Sequence, residues 1–195
     1  MLEDGNYVFT HSLAKNAEPL GAPELVICDI WRFNDDGVML EHWDAMMANR
    51  PPNPSGRTLT GGPTEIKDAD KTETNRALML ELFDKLINGK PEEMGQVLPN
   101  YFDMNYKQYN PDAGDGIMGF AEAIQSGRLN FAFKKQHKVF AEGNMVLSVG
   151  EGTHRGNHAL FYDFVSWEDG KIVEHWDVIQ DIPAETANDN TVFGF

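Results

Sequence analysis

The sequence of 195 residues holds one cysteine, Cys28, so a disulfide within the chain is excluded. Its setting, "LVICDIW", reads as a strand, which makes a buried structural thiol the expectation. A reducing, cytoplasmic location is the simplest one for such a chain. Basic residues are also few: 16 Lys and Arg stand against 31 Asp and Glu, a formal charge of −15. Nucleic acid and anionic membrane surfaces both need a positive face, so neither is expected as a partner. No apolar run is long enough to span a bilayer. The start, "MLEDGNYVFT", lacks the basic residues and apolar stretch of a secretory signal. The glycine-containing "GDGIMG" (114–119) lacks a phosphate-binding lysine and follows no clear strand. "HRGNH" (154–158) spaces two histidines by four, but Gly156 and Asn157 mark a hairpin turn there and no third ligand is evident nearby. No metal and no cofactor are therefore expected.

Scarce residues make what is present conspicuous. The chain has 6 His and 4 Trp, yet "EHWD" occurs twice, ending at Asp44 and at Asp177. The two copies extend outward from that motif. "DIWRFNDDGVMLEHWD" (29–44) aligns with "DFVSWEDGKIVEHWD" (163–177), with one extra residue at the turn before Gly37 or Gly170. Further upstream, "EDGNYVFT" (3–10) matches "AEGNMVLS" (141–148). Each has glycine and asparagine at a tight turn followed by an alternating strand, which is hairpin chemistry.

Only the second copy is preceded by helical patterns. "TETNRALMLELFDKLINGK" (72–90) places Leu78, Leu82, Phe83, Leu86 and Ile87 at helical spacing, with Thr72 or Thr74 to cap its start and Gly89 to end it. Residues 91–98 read as a second short helix and 116–127 as a third. "YFDMNYKQYNPD" (101–112) reads as an aromatic-rich stretch leading into a turn at Asn110-Pro111. Strands are expected near 131–141, 145–152, 158–168 and 171–181. Helices first and then a meander imply an α+β domain over 71–195, with helices on one face of an antiparallel sheet. Residues 1–50 then read as the strand half of a second such domain. The Pro- and Gly-rich segment 51–70 reads as an extended linker rather than a packed element. A hairpin sheet with one uncovered apolar face is not stable alone. The first segment is expected to dock on the second domain's sheet or on the same segment of another chain, or else the natural protein begins upstream.

"YKQYNP" followed by a short helix, then "VFAEGNMVLS", then "YDFVSWEDGKIVEHWDVIQ", resembles the SnoaL-like group of polyketide-cyclase-related proteins, within the nuclear transport factor 2-like superfamily. The resemblance covers about 71–195, with 1–60 as a partial second copy, and its specific part is Asp163 to Gln180. It implies a cone-shaped α+β barrel whose bent antiparallel sheet wraps three helices around an apolar pocket for a small hydrophobic ligand. It also implies pairing through the outer sheet face, as a homodimer or as a pseudo-dimer within one chain. Where many relatives carry His, this chain has Tyr109, which donates a hydrogen bond but is no proton shuttle near neutral pH.

On a strand, residues two apart share a face, so His175 and Asp177 point one way and Glu174 and Trp176 the other. A carboxylate on an apolar wall can remove a proton from a carbon beside a carbonyl, while a neighbouring donor holds the developing enolate oxygen. The resemblance implies metal-free, cofactor-free acid/base chemistry of the aldol cyclase or isomerase type. By strand position Asp177 matches the family's base, with His175 as its partner, and Tyr109 and Asn110 would orient a substrate oxygen. Asp163 and Asp29 recur in the preceding strand of each copy. An acid in mid-strand needs a partner, so Asp163 is expected to face the pocket or to pair with His175 across the ladder. The other reading of the motif is structural: His42 and Asp44 occupy the same places in a copy without helices. That favours a non-catalytic binding or assembly module of the same fold.

Overall fold

Asn and Gly at the first turn, and period-two apolar residues after it, make the opening 48 residues a meander. In the computed structural model, which describes residues 1–90, 92–185 and 188–195, its strands are β1 (Leu2–Asp4), β2 (Tyr7–Lys15), β3 (Glu24–Phe33) and β4 (Met39–Ala48). They pair in that order, all antiparallel, as a first sheet. The helices follow: α1 (Thr72–Asn88), α2 (Met94–Tyr101) and α3 (Gly116–Gln125), with β5 (Phe102–Gln108) between the last two. The second sheet is completed by β6 (Phe131–Glu142), β7 (Met145–His154), β8 (Asn157–Glu168) and β9 (Lys171–Asp181). The expected four strands and three helices are present. The expected start of the second helix at residue 91 lies outside the described residues.

The second sheet differs from the barrel expected of it. Its order is β5-β9-β8-β7-β6, and the end strands β5 and β6 do not pair, so the sheet is open. It is also mixed, because β5 runs parallel to β9. Strand β5 has little sequence signature: Asp103, Met104 and Asn105 are exposed, and its pairing register slips between Phe102 and Lys107. A strand so weakly alternating has no period-two signal to read.

Three layers result. On one face of the second sheet, α1 and α2 bury Met79, Leu82, Phe83 and Val97 against Val139, Val146, Val165, Trp167 and Ile172. On the other face sits the first sheet, whose Phe9, Val26, Cys28, Ile30 and Ala45 pack against Phe140, Leu147, Tyr162, Phe164 and Trp176. Cys28 is buried in that seam, as its strand setting suggests, and burial with the nearby charges of Asp29 and Asp177 pushes its thiol pKa up. Such a thiol is a poor nucleophile. Thr72 does not cap α1; its hydroxyl accepts from the Gly143 N–H instead.

The segment joining the two sheets, expected to be an extended linker rather than a packed element, is fastened at several points. Asn53, buried, donates through Nδ2 to the carbonyls of Gln108 (2.6 Å) and Asn110 (3.3 Å). Arg57 forks onto Asp115 at 2.7–3.1 Å. Leu59 is buried in the seam, and the Gly61 carbonyl accepts from Trp176 Nε1 at 2.8 Å. Gly62 has a φ of +92°, and a Cβ there would come within 2.5 Å of the Tyr109 hydroxyl, so only glycine lets the chain pass. No helix is long and apolar enough to cross a membrane among the described residues.

Candidate functional site

Alternation along β8 and β9 separates the two faces of the second sheet. Phe161, Asp163, Val165, His175, Asp177 and Ile179 line a cavity of about 400 Å³ beneath the helices. Their neighbours Tyr162, Phe164, Trp176 and Val178 enter the seam with the first sheet. Asp163 and Asp177 face each other directly in the ladder, and His175 lies opposite Val165. The rest of the wall is mostly apolar, with Met79, Phe83 and Leu86 from α1, Val97 from α2, Phe120 and Ile124 from α3, and Phe131 and Phe133 from β6. The cavity thus has one polar patch, made by residues from β5, β8, β9 and the turn after β5.

The hydrogen bonds fix the orientation of every group in that patch. Gln108 Oε1 accepts from the Asn110 N–H at 2.9 Å, which sets the amide. The same oxygen lies 2.9 Å from His175 Nδ1, so Nδ1 carries a hydrogen and donates to it. Asn110 Oδ1 accepts from the Asp112 N–H at 2.7 Å, which turns its Nδ2 toward Asp177, where it donates to both carboxylate oxygens at 2.9 and 2.8 Å. His175 Nε2 lies 3.2 Å from Asp163 Oδ1. Asp163 Oδ2 is buried and has no hydrogen-bond partner.

Burial pushes the Asp177 carboxyl up, and the charge of Asp163 adds to that. His175 and the Asn110 amide pull it down, leaving it at about 6. Burial pulls the His175 imidazole down, but its bond to Asp163 and the charges of Asp177 and Asp163 outweigh this, and its pKa is raised. The two acids thus favour the charged form of His175, and burial lets Asp177 keep its proton to a higher pH than an ordinary carboxyl. A carboxylate in that condition can act as a base and a general acid in turn.

Four of the five residues singled out from sequence meet here: Asp163, Asn110, His175 and Asp177. Tyr109 does not. It follows Gln108 and so points to the opposite face, where its ring stacks on Trp176 (centroids 4.6 Å apart) and its hydroxyl donates to Glu174 Oε1 at 3.1 Å. Burial, then Glu174, pushes that hydroxyl up to about 12. Tyr109 belongs to the seam and cannot orient a ligand in the cavity. Sequence reading missed Gln108, which faces the cavity and holds His175, and Asn53, which braces the turn from outside. Period-two alternation from Tyr109 would have found Gln108, had residues 102–108 been read as a strand. Nothing local could have found Asn53, 55 residues away from Gln108 in sequence.

The first copy of the motif has the same pairing. Asp29 faces Asp44, Ile30 faces Trp43, Trp31 faces His42 and Arg32 faces Glu41, before a slip that sets Phe33 opposite Met39. In the second copy Asp163, Phe164, Val165 and Ser166 face Asp177, Trp176, His175 and Glu174, and Trp167 then faces Ile172. Each slip skips one residue, Leu40 or Val173. His42 Nε2 lies 2.9 Å from Asp29 Oδ1, with the Trp31 ring stacked 3.8 Å above the imidazole. His42 is exposed, whereas Asp177 and Asp163 are buried.

No protein-family model and no curated protein match the sequence. Solved structures give partial likenesses. A proposed ketosteroid isomerase from Kribbella flavida is 14% identical, with a TM-score of 0.47 over 60% of this chain and 86% of that one. An NTF2-like protein from Burkholderia xenovorans is 16% identical, with a TM-score of 0.43 over 56% and 91%. TsrD from Streptomyces laurentii is 19% identical, with a TM-score of 0.40 over 53% and 89%. Likenesses this low assign no activity to the chain.

Proposed function

We propose that this chain is a SnoaL-like protein of the nuclear transport factor 2-like superfamily that acts on a small hydrophobic carbonyl compound by acid/base chemistry, of the aldol cyclase or isomerase type. The observation that carries the reading is the placement of Asp177: a buried carboxylate, fixed by Asn110, on the one polar patch of an otherwise apolar cavity. Apolar walls would hold the ligand and exclude water. Asp177 would take a proton from the carbon beside the carbonyl, and the His175 Nε2–H would hydrogen-bond the oxygen on which charge gathers. Asp177 then returns the proton to carbon, or the enolate carbon attacks a second carbonyl. Gln108 and Asn110 act as positioning residues.

The matching registers around Asp29/Asp44 and Asp163/Asp177 support reading residues 1–50 as a strand half-copy, joined by 51–70 to the domain at 71–195. The pair of sheets would then be a pseudo-dimer within one chain. The same match supports a second reading, a non-catalytic binding module, because His42 and Asp29 keep their contact on an exposed face.

The experiment is exchange of α-protons for deuterium in a panel of small β-dicarbonyl and aryl ketone compounds, followed by NMR in a chelator-containing buffer. Faster exchange with wild type that is lost in Asp177→Asn, while an apolar fluorescent probe still binds both proteins, supports the enzyme. Probe binding without any exchange moves the assignment to the binding module. No probe binding refutes both.

A further inference from the structure

We propose that Asp163, His175 and Asp177 form a binding site for one divalent first-row transition cation on the polar patch of the cavity. The site goes beyond the acid/base reading and excludes it while the ion is bound, because the ion takes the Nε2 lone pair and the Asp177 oxygen that the acid/base steps use. One donor atom from each of the three residues lies within 4.8 Å of the other two. The separation of His175 Nε2 and Asp163 Oδ1, 3.2 Å, is already that of adjacent ligands on an ion with bonds of about 2.0–2.2 Å.

A cluster of this kind could be only an ion pair. Two independent features point to a missing ligand. Asp163 is nine-tenths buried, lines the cavity, and has an oxygen, Oδ2, without any donor. A buried carboxylate oxygen left unpaired is costly, and an ion at this point would satisfy it. The second feature is the outer layer. A metal-bound imidazole keeps its tautomer by donating its other N–H to a fixed oxygen. Here Nδ1 donates to Gln108 Oε1, and Gln108 is itself locked by the Asn110 N–H, which leaves Nε2 as the ligand atom. Asp177 is likewise oriented, by Asn110 Nδ2 on both oxygens. An ion pair alone needs neither device.

The donor set names the class of ion. One imidazole and two carboxylates suit zinc, manganese or ferrous iron, whereas calcium and magnesium prefer all-oxygen shells and cuprous copper prefers sulfur. Three protein ligands leave coordination positions free, and these face the cavity, where water or a carbonyl oxygen would complete the shell. The related trio Asp29, His42 and Asp44 also brings its atoms within 4.8 Å, but it is partly exposed and none of its oxygens is buried without a partner, so it serves as the control.

The test is calorimetric titration of chelator-stripped protein with Zn²⁺, together with visible absorption on adding Co²⁺. One ion per chain is expected, with d–d bands of a nitrogen–oxygen site. His175→Gln and Asp163→Asn should abolish uptake, and Gln108→Leu should weaken it about 10- to 100-fold, as loss of an outer-layer partner does. His42→Gln should change nothing. Circular dichroism identifies any variant that fails to fold, and Asp163→Asn and His175→Gln stand in for each other in that case. No uptake at millimolar cation, or uptake lost in His42→Gln and kept in His175→Gln, overturns the site. Binding of an apolar fluorescent probe in excess chelator is read in parallel. Probe binding without cation uptake removes this inference and leaves the pocket reading standing; cation uptake without probe binding does the reverse.

Discussion

Asp177→Asn should stabilise the protein at pH 8 relative to its effect at pH 4.5. The carboxyl of Asp177 is raised from 3.8 to about 6 in the folded chain. A raised carboxyl favours the folded state while it is protonated, and that contribution is lost as pH rises from 3.8 through about 6. At 1.36 kcal/mol per pH unit, the total loss is about 3 kcal/mol, of which ~1 has already gone by pH 4.5 and ~2 goes between pH 4.5 and pH 8. Asparagine has no charge to bury and escapes this loss. Removing the carboxylate also weakens the pull that raises His175, whose own contribution is present at low pH and lost as pH rises, so this works in the same direction. Against it, Asn110 can no longer donate to two oxygens, a cost of about 1 kcal/mol that is the same at both pH values. The difference between mutant and wild type should therefore move by ~2 kcal/mol toward the mutant, or about 4–8 °C in Tm for a chain of this size. The assay is urea unfolding of both proteins in chelator-containing buffer at the two pH values. A difference that stays constant, or that moves toward the wild type at pH 8, would show that Asp177 is not a strained buried carboxyl.

Other perturbations probe the seam and the surface. Tyr162→Phe should raise stability by about 1 kcal/mol in urea unfolding, because the Tyr162 hydroxyl is buried between the sheets without a partner. Glu151 accepts hydrogen bonds from His137, Lys134 and His158 and is lowered to about 2. Its contribution is present above pH 4.5 and lost as pH falls through about 2, so Glu151→Gln should cost about 1–2 kcal/mol at pH 7, after screening by solvent around the exposed Lys134 and His158, and little near pH 2. Tyr109→Phe should leave probe binding in the cavity unchanged, whereas Gln108→Leu should alter the His175 ring signals in NMR; the opposite pattern would place Tyr109 in the cavity after all.

The sequence by itself determined the local elements. Turn residues at Gly5-Asn6 and Gly143-Asn144 and period-two apolar runs were enough for the hairpins, and the spacing of Leu78, Leu82 and Phe83 was enough for α1, because these patterns are imposed by backbone geometry within a few residues. Alternation also set His175 and Asp177 on one face and Trp176 on the other. Tertiary structure decided the rest. It put Tyr109 into the seam, because β5 joins the edge of the sheet in parallel, and that choice depends on a strand 65 residues further along. It left the sheet open rather than closed, since β6 and β5 never meet. It drew Asn53 and Gln108 behind the polar patch and left Asp163 Oδ2 without a donor. Hydrogen-bond partners distant in sequence leave no periodic trace, so a buried polar constellation is visible only once the chain has folded around it.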